Sequence, residues 1–119
     1  MTDQLSEKIG AAILAGGEAV RYGGIAKGMI EISPGLTIIN NVINQVTRSG
    51  IKEVIIVSND PEPYKELGIR IIPDIRPKNG PLGGIEAALH YYTPKFDATL
   101  FLPCDLPGIK TLHIKRLLK

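Results

Sequence analysis

The sequence has no tryptophan and only two phenylalanines, with aromatics at 5% of 119 residues. Aromatics are therefore too scarce to make up most of a core, and Ile, Leu and Val are expected to supply it. Cysteine is nearly absent as well. Cys104 stands alone, which rules out an internal disulfide or a cysteine-rich zinc site and fits a reducing compartment. Charge of one sign is also lacking: 14 Lys and Arg against 12 Asp and Glu leave a formal +2, too little to argue for nucleic acid or a membrane surface. No stretch approaches the roughly 18 apolar residues that cross a bilayer. The opening Met1-Thr2-Asp3-Gln4 has neither the basic start nor the apolar run of a signal peptide. A cytoplasmic protein is expected, with neither nucleic acid nor membrane as partner.

What is present fits one globular domain, long enough to bury a core without staples. Apolar runs alternate with helical patterns, the mark of a βαβ series and a mostly parallel sheet. Ile9 to Leu14, Val54 to Val57, Ile69 to Ile72 and Ala98 to Leu102 read as strands. Their hydrophobicity is continuous rather than alternating, which suits strands covered on both faces. Ile38, Ile39, Val42, Ile43 and Val46 recur at helical spacing, and Gly50 is placed to stop that helix. Pro61-Glu62-Pro63 lead into a short helix over Tyr64 to Leu67. Pro81-Leu82-Gly83-Gly84 open another through Ile85 to Leu89, and a last one starts at Thr111 and runs toward Leu118. No internal repeat or low-complexity linker interrupts the series.

Ligands of open parallel sheets bind beyond the carboxyl ends of the strands, and the unusual residues of this sequence fall there. After the first strand, Gly16, Gly17, Gly23 and Gly24 place four glycines within nine residues. They let the backbone turn tightly and come close to a ligand, and the N–H groups of such a loop can form an anion-binding concavity. Arg21 and Lys27 add two cations suited to a triphosphate. The loop is neither a Walker A motif nor a GxGxxG fingerprint, and its plainer reading is a structural loop with two surface cations. After the third strand, Asp74 is a carboxylate that could meet a ligand or metal, or cap its own turn. The later Gly80-Pro81-Leu82-Gly83-Gly84 stretch gives a second close backbone approach before a helix N-terminus, which favours anions.

The fourth strand, Ala98 to Leu102, runs through Pro103-Cys104 straight into Asp105, whose flanking prolines Pro103 and Pro107 stiffen the backbone. A carboxylate there suits Mg²⁺, which takes one or two carboxylates together with substrate oxygens. The alternative is an Asp that starts a turn or caps a helix. Ser58-Asn59-Asp60 ends the second strand and can hydrogen-bond a base or ribose, or form an Asx turn. Cys104 reads as a small packed residue, and His90 and His113 as surface histidines.

These segments together resemble the MobA-like nucleotidyltransferases. Leu14-Ala15-Gly16-Gly17 followed by Arg21-Tyr22-Gly23-Gly24 and Lys27 matches the family's first signature. Pro73-Asp74, Gly80-Pro81-Leu82-Gly83-Gly84 and Leu102-Pro103-Cys104-Asp105 follow in the family's order and spacing. The sequence departs from the pattern at Ala19, Tyr22 and Ala26. The resemblance implies a Rossmann-like three-layer α/β sandwich of the nucleotide-diphospho-sugar transferase type, over residues 1–119 as a single domain. It implies that Leu14, Ala15, Gly16, Gly17 and Lys27 bind the nucleotide and its phosphates. Asp74, with Ser58 or Asn59, would hold the guanine nucleotide, and Asp105 would bind Mg²⁺. The implied reaction joins GMP from GTP to molybdopterin and releases pyrophosphate.

The resemblance also implies chains that run further than this one and complete the sheet and the acceptor pocket. Leu112, Leu117 and Leu118 are then expected to lack part of their cover, and self-association is expected of such a patch. The implied acceptor is a phosphate monoester, already ionised at neutral pH, so no general base is nominated. Charge neutralisation and alignment would fall to Lys27, Arg21, Asp105-bound Mg²⁺ and the loop amides. Two other functions fit the same residues: cytidylyl or other nucleotidyl transfer to another phosphate acceptor, and a nucleotide-binding module without catalysis.

Overall fold

The computed structural model describes residues 9–15, 21–22, 25–73, 81–92, 96, 98–104 and 110–117. In chain order the elements are β1 (Ile9–Leu14), β2 (Arg21–Tyr22), β3 (Ile25–Ala26), β4 (Glu31–Ser33), β5 (Leu36–Thr37) and α1 (Ile38–Arg48). They continue with β6 (Glu53–Val57), β7 (Arg70–Ile72), α2 (Pro81–Tyr92), β8 (Ala98–Pro103) and α3 (Thr111–Leu117). Two 3-10 turns, Lys27–Met29 and Glu62–Leu67, lie between them.

The long apolar runs become one four-stranded sheet in the order β7-β6-β1-β8, with every neighbouring pair parallel. Numbering only these strands along the chain, the order is 3-2-1-4. The chain therefore winds outward from β1 through β6 to β7, then returns to the other side of β1 as β8. That reversal makes the β1–β8 boundary a topological switch point, where a crevice opens in doubly wound sheets. Two small antiparallel pairs, β2–β3 and β4–β5, fill the long connection from β1 to α1. They carry no apolar periodicity, so sequence pattern did not single them out.

Residues alternate between the two faces of the sheet, and both faces are covered. Ala11, Ile13, Val54, Ile56 and Leu102 pack with α1, with Tyr64 of the second 3-10 turn and with Ile114 of α3. Ala12, Ile55 and Val57 pack with Ala87, Ala88 and Tyr92 of α2. This three-layer arrangement explains why the strands read as unbroken apolar runs.

Helix α1 forms because Ile38, Ile39, Val42, Ile43 and Val46 make one buried stripe. β-branched residues cost up to about 0.7 kcal/mol each in helix propensity, but burying each returns roughly 1.5–3 kcal/mol. Packing wins. The Thr37 hydroxyl caps the first turn by accepting from the Asn40 N–H at 3.2 Å. Ser49 closes the last turn, and Gly50 leaves it at φ 105°, a conformation that favours glycine. Gln45 then joins α1 to α3: its Oε1 accepts from the Thr111 N–H and from the Thr111 hydroxyl, both at 2.7 Å.

Pro81 begins α2, where a missing N–H is harmless, and Gly84 lies inside its first turn. A Cβ on Gly84 would stand 3.3 Å from Leu14 Cδ2 and 3.5 Å from Val57 Cγ1. The glycine lets the start of α2 lie close over the carboxyl ends of β1 and β6.

Candidate functional site

The four strands finish in register. Leu14 pairs with Val57 on one side and Pro103 on the other, and Val57 pairs with Ile72. Three further backbone bonds hold the row beyond them. The Ala15 N–H donates to the Val57 carbonyl at 2.9 Å, the Ser58 N–H to the Ile72 carbonyl at 2.9 Å, and the Cys104 N–H to the Leu14 carbonyl at 3.1 Å. Pro73, Ser58, Ala15 and Cys104 therefore close the sheet at one edge, and the next residues of the chain are Asp74, Asn59, Gly16 and Asp105. Every strand-end segment singled out in the sequence departs from this one edge. Gly16, Gly17, Asp74 and Asp105 themselves lie outside the described residues.

Leu14 and Ala15 are described, and their carbonyl and N–H respectively are engaged in the sheet. Arg21 and Lys27 are described through their backbone. Arg21 pairs with Ala26 across β2–β3, and Lys27 opens the 3-10 turn that follows. Gly28 seats this turn against the sheet edge. A Cβ at Gly28 would lie 3.2 Å from Ile39 Cβ, 3.3 Å from Cys104 Cβ and 3.3 Å from Tyr64 Cε1. Only a residue without a side chain fits that gap while its neighbours stay in place. Immediately after the turn, the Ile38 N–H bonds the Ile30 carbonyl at 2.9 Å, which ties the segment to the start of α1.

Ser58 and Asn59 separate in role. Ser58 is 3% exposed, and its hydroxyl donates to the Asp60 carbonyl at 3.0 Å while accepting from the Asp60 N–H at 3.1 Å. It shapes the turn after β6, and that turn leaves Asn59 exposed beside the sheet edge. Cys104 is buried at 2% exposure, as its reading as a packed residue expects. His90 and His113 are exposed, and His113 Nδ1 accepts from the Lys110 N–H at 3.2 Å. Gly28 drew no notice in the sequence. The only local signal was a glycine directly after the candidate lysine, and the partners that make it necessary lie at positions 39, 64 and 104. Among the described residues no three His, Cys, Asp or Glu side chains gather, and no helix there is long and apolar enough to cross a membrane.

A parallel sheet wound 3-2-1-4, with both faces covered by helices, defines a Rossmann-like α/β protein. The family follows from comparison with known proteins. The model of the MobA-like NTP transferase domain matches residues 11–119, and the chain belongs to that nucleotidyltransferase family.

A probable molybdenum cofactor guanylyltransferase of Clostridium perfringens is 40% identical over 104 residues, covering 86% of this chain and 49% of the relative. The molybdenum cofactor guanylyltransferase of Photobacterium profundum is 33% identical over 112 residues, covering 94% of this chain and 56% of its own length. The chain thus spans about half the length of the curated relatives it matches. Among solved structures, CMP:2-keto-3-deoxy-manno-octonic acid synthetase complexed with CTP superposes with a TM-score of 0.72 at 21% identity, over 93% of this chain and 46% of that one. A Mycobacterium tuberculosis protein gives the same TM-score of 0.72 at 16% identity, covering 93% of this chain and 59% of that one. At such identities these two speak for the fold alone.

Proposed function

We propose that the chain is the nucleotide-binding part of a nucleotidyltransferase that transfers GMP from GTP to molybdopterin with release of pyrophosphate. The observation that carries this reading is the single row of strand ends, from which the glycine loop, Asn59, Asp74 and Asp105 all depart. The names of the relatives, molybdenum cofactor guanylyltransferase, support the choice of donor and acceptor.

In this mechanism an oxygen of the acceptor phosphate attacks the α-phosphorus of GTP. The bond from that phosphorus to the bridging oxygen breaks, and pyrophosphate leaves with the electron pair. A phosphate monoester carries about −1.5 to −2 charges at neutral pH, so the nucleophile needs no base. The chain's task is alignment and charge neutralisation. Leu14 and Ala15 aim the loop that follows them, Gly16 and Gly17 bring its amides to the phosphates, and Arg21 and Lys27 meet the negative charge. Asn59 and Asp74 hold the nucleoside end, and Ser58 orients Asn59 through its turn with Asp60.

Mg²⁺ fits the residues at hand. A strand-end carboxylate after β8, Asp105, is the kind of sparse oxygen donor with which Mg²⁺ is bound beside substrate phosphates, whereas Asp74 follows β7 at the opposite end of the row. When bound, the ion would be held by Asp105 and would supply positive charge to the triphosphate.

Titration of GTP into wild type and Asp105→Ala, with and without Mg²⁺, tests the assignment. The variant is expected to stay folded and lose the Mg²⁺-dependent part of binding, and equal Mg²⁺-dependent affinity in both would return Asp105 to a structural role. A thermal-shift series with GTP, ATP, CTP and UTP tests the base, since a site that hydrogen-bonds guanine rejects bases that leave its polar groups unpaired. A preference for CTP would move the chain to cytidylyl transfer. Pyrophosphate release with molybdopterin supplied separates an enzyme from a module that only binds. Leu112, 57% exposed on α3, supports self-association as a further part of this proposal, and sedimentation of the chain as a monomer would refute it.

A further inference from the structure

Lys27 and Asp105 are far apart in sequence, and the residues beside them meet. Gly28, which follows Lys27, packs against Cys104, which precedes Asp105. A Cβ on Gly28 would lie 3.3 Å from Cys104 Cβ and 3.2 Å from Ile39 Cβ. Neither neighbour can rotate out of the way, because a Cβ is fixed by its backbone. Ile39 is fully buried in α1, and Cys104 is fastened to β1 through its N–H bond to the Leu14 carbonyl at 3.1 Å. The three-residue turn Lys27–Met29 is the lighter body, so any bulk added at the contact displaces the turn rather than the sheet edge.

We infer that Gly28 and Cys104 are positioning residues: their contact sets the distance between the Lys27 backbone and the strand end that leads into Asp105. The triphosphate is gripped between the two groups this contact spaces. The inference rests on the nucleotide site proposed above and adds the device that sets its width. It also assigns a role to the only cysteine: a compact side chain on a fixed strand end, used for its size rather than for its thiol.

The test compares GTP with guanosine by calorimetric titration, because a spacing error at the phosphates weakens the first and spares the second. Gly28→Ala adds one Cβ to the gap and Cys104→Gly removes one. Each is expected to weaken GTP by roughly two- to fivefold, since a misplacement near 1 Å can cost about a hundredfold and a shift of a few tenths of an ångström costs the corresponding fraction of that exponent. Guanosine affinity is expected to hold, which a merely destabilised fold would not arrange. The double variant Gly28→Ala/Cys104→Gly keeps a single Cβ between the two backbones and is expected to recover part of the GTP affinity, since the added Cβ still lies against Ile39 Cβ and Tyr64 Cε1. In a Lys27→Ala background, Gly28→Ala is expected to cost little more, because residues acting through one another are not additive.

A double variant no better than Gly28→Ala, or losses at Lys27 and Gly28 that add in full, would overturn the inference while leaving the nucleotide site standing. A wild-type chain that binds no GTP, or a Lys27→Ala chain that binds it as wild type does, would overturn both together. Should Gly28→Ala not fold, Cys104→Gly carries the same comparison from the other side of the contact, and unchanged GTP affinity there would sink the idea.

Discussion

On the α1 face of the sheet, branched aliphatic side chains meet one another: Ile39, Val42 and Val46 of the helix against Ile13, Val54 and Ile56 of the strands. On the α2 face, Ala87 and Ala88 come down onto Ala12, Ile55 and Val57, and Tyr92 is the ring fully buried there, with Leu14, Ile72, Tyr91, Phe96 and Phe101 partly buried around it. The first face spreads its packing over α1, the Glu62–Leu67 turn and α3. The second depends on close approach by small residues and on a group of rings centred on Tyr92. Gly10 makes room for that ring: a Cβ there would lie 2.7 Å from Tyr92 Cε2. Tyr91 and Phe96 hold it edge-on, with centroids 5.3 and 5.1 Å away, and its hydroxyl donates to the Ala11 carbonyl at 3.1 Å. Both faces nevertheless bring a glycine to the carboxyl edge of the sheet, Gly28 from the α1 side and Gly84 from the α2 side.

The strongest way to break this contrast is Tyr92→Ala. It is expected to destabilise the fold by about 3–5 kcal/mol, read as a fall in the denaturant midpoint. A loss below about 1 kcal/mol would show that the α2 face does not depend on that ring.

Ile56 and Ile55 sharpen the contrast, being adjacent, both fully buried and pointed at opposite faces. Truncation to Ala costs about 2–5 kcal/mol in a core, more where neighbours cannot collapse into the space. Ile56→Ala, on the thickly covered face, is expected near the top of that range and Ile55→Ala near the bottom. The reverse order in equilibrium unfolding would mean the α2 face is the more rigid.

Gly10→Ala comes next. Overpacking against Tyr92 is expected to cost about 1–3 kcal/mol, and much less in a Tyr92→Ala chain, where the clash has no partner. A full cost in both backgrounds would separate Gly10 from the ring.

The smallest effect is that of Tyr92→Phe, about 0.5–1.5 kcal/mol for one hydrogen bond, and it carries a pH signature. Burial first, then the charges of Glu53 and Tyr91, raise the Tyr92 phenol above its ordinary 10.0. The folded state thus keeps a proton that the unfolded chain gives up, so this stabilisation is complete below pH 10.0 and declines as pH rises beyond it. The difference in midpoint between wild type and Tyr92→Phe is expected to shrink and reverse above that pH, and a constant difference would contradict the assigned shift.

The strands were legible from the sequence because burial on both faces leaves an unbroken apolar signal. Ile9–Leu14 matches its expected bounds, β6 and β8 extend theirs by one residue, and β7 begins one residue late at Arg70. The stripe of α1 was legible for the same reason, at period 3.6 instead of continuous. The pairs β2–β3 and β4–β5 were not, since two or three residues hold no period. Helix α2 opens at Pro81 as the sequence indicated and runs past Leu89 to Tyr92, whose ring is buried against the sheet.

By itself the sequence determined where apolar runs start and stop, and so which residues would leave the strands: Gly16 after β1, Asn59 after β6, Asp74 after β7 and Asp105 after β8. These are matters of local order along the chain. That all four leave from one edge was decided only by the register of the parallel pairs, which aligns Ile72, Val57, Leu14 and Pro103. The place of the Lys27 turn, the need for glycine at 10, 28 and 84, and the use of Cys104 as a spacer belong to the tertiary structure too. Each depends on a contact between residues distant in sequence, and no local pattern encodes the distance between two surfaces that meet only when the chain is folded.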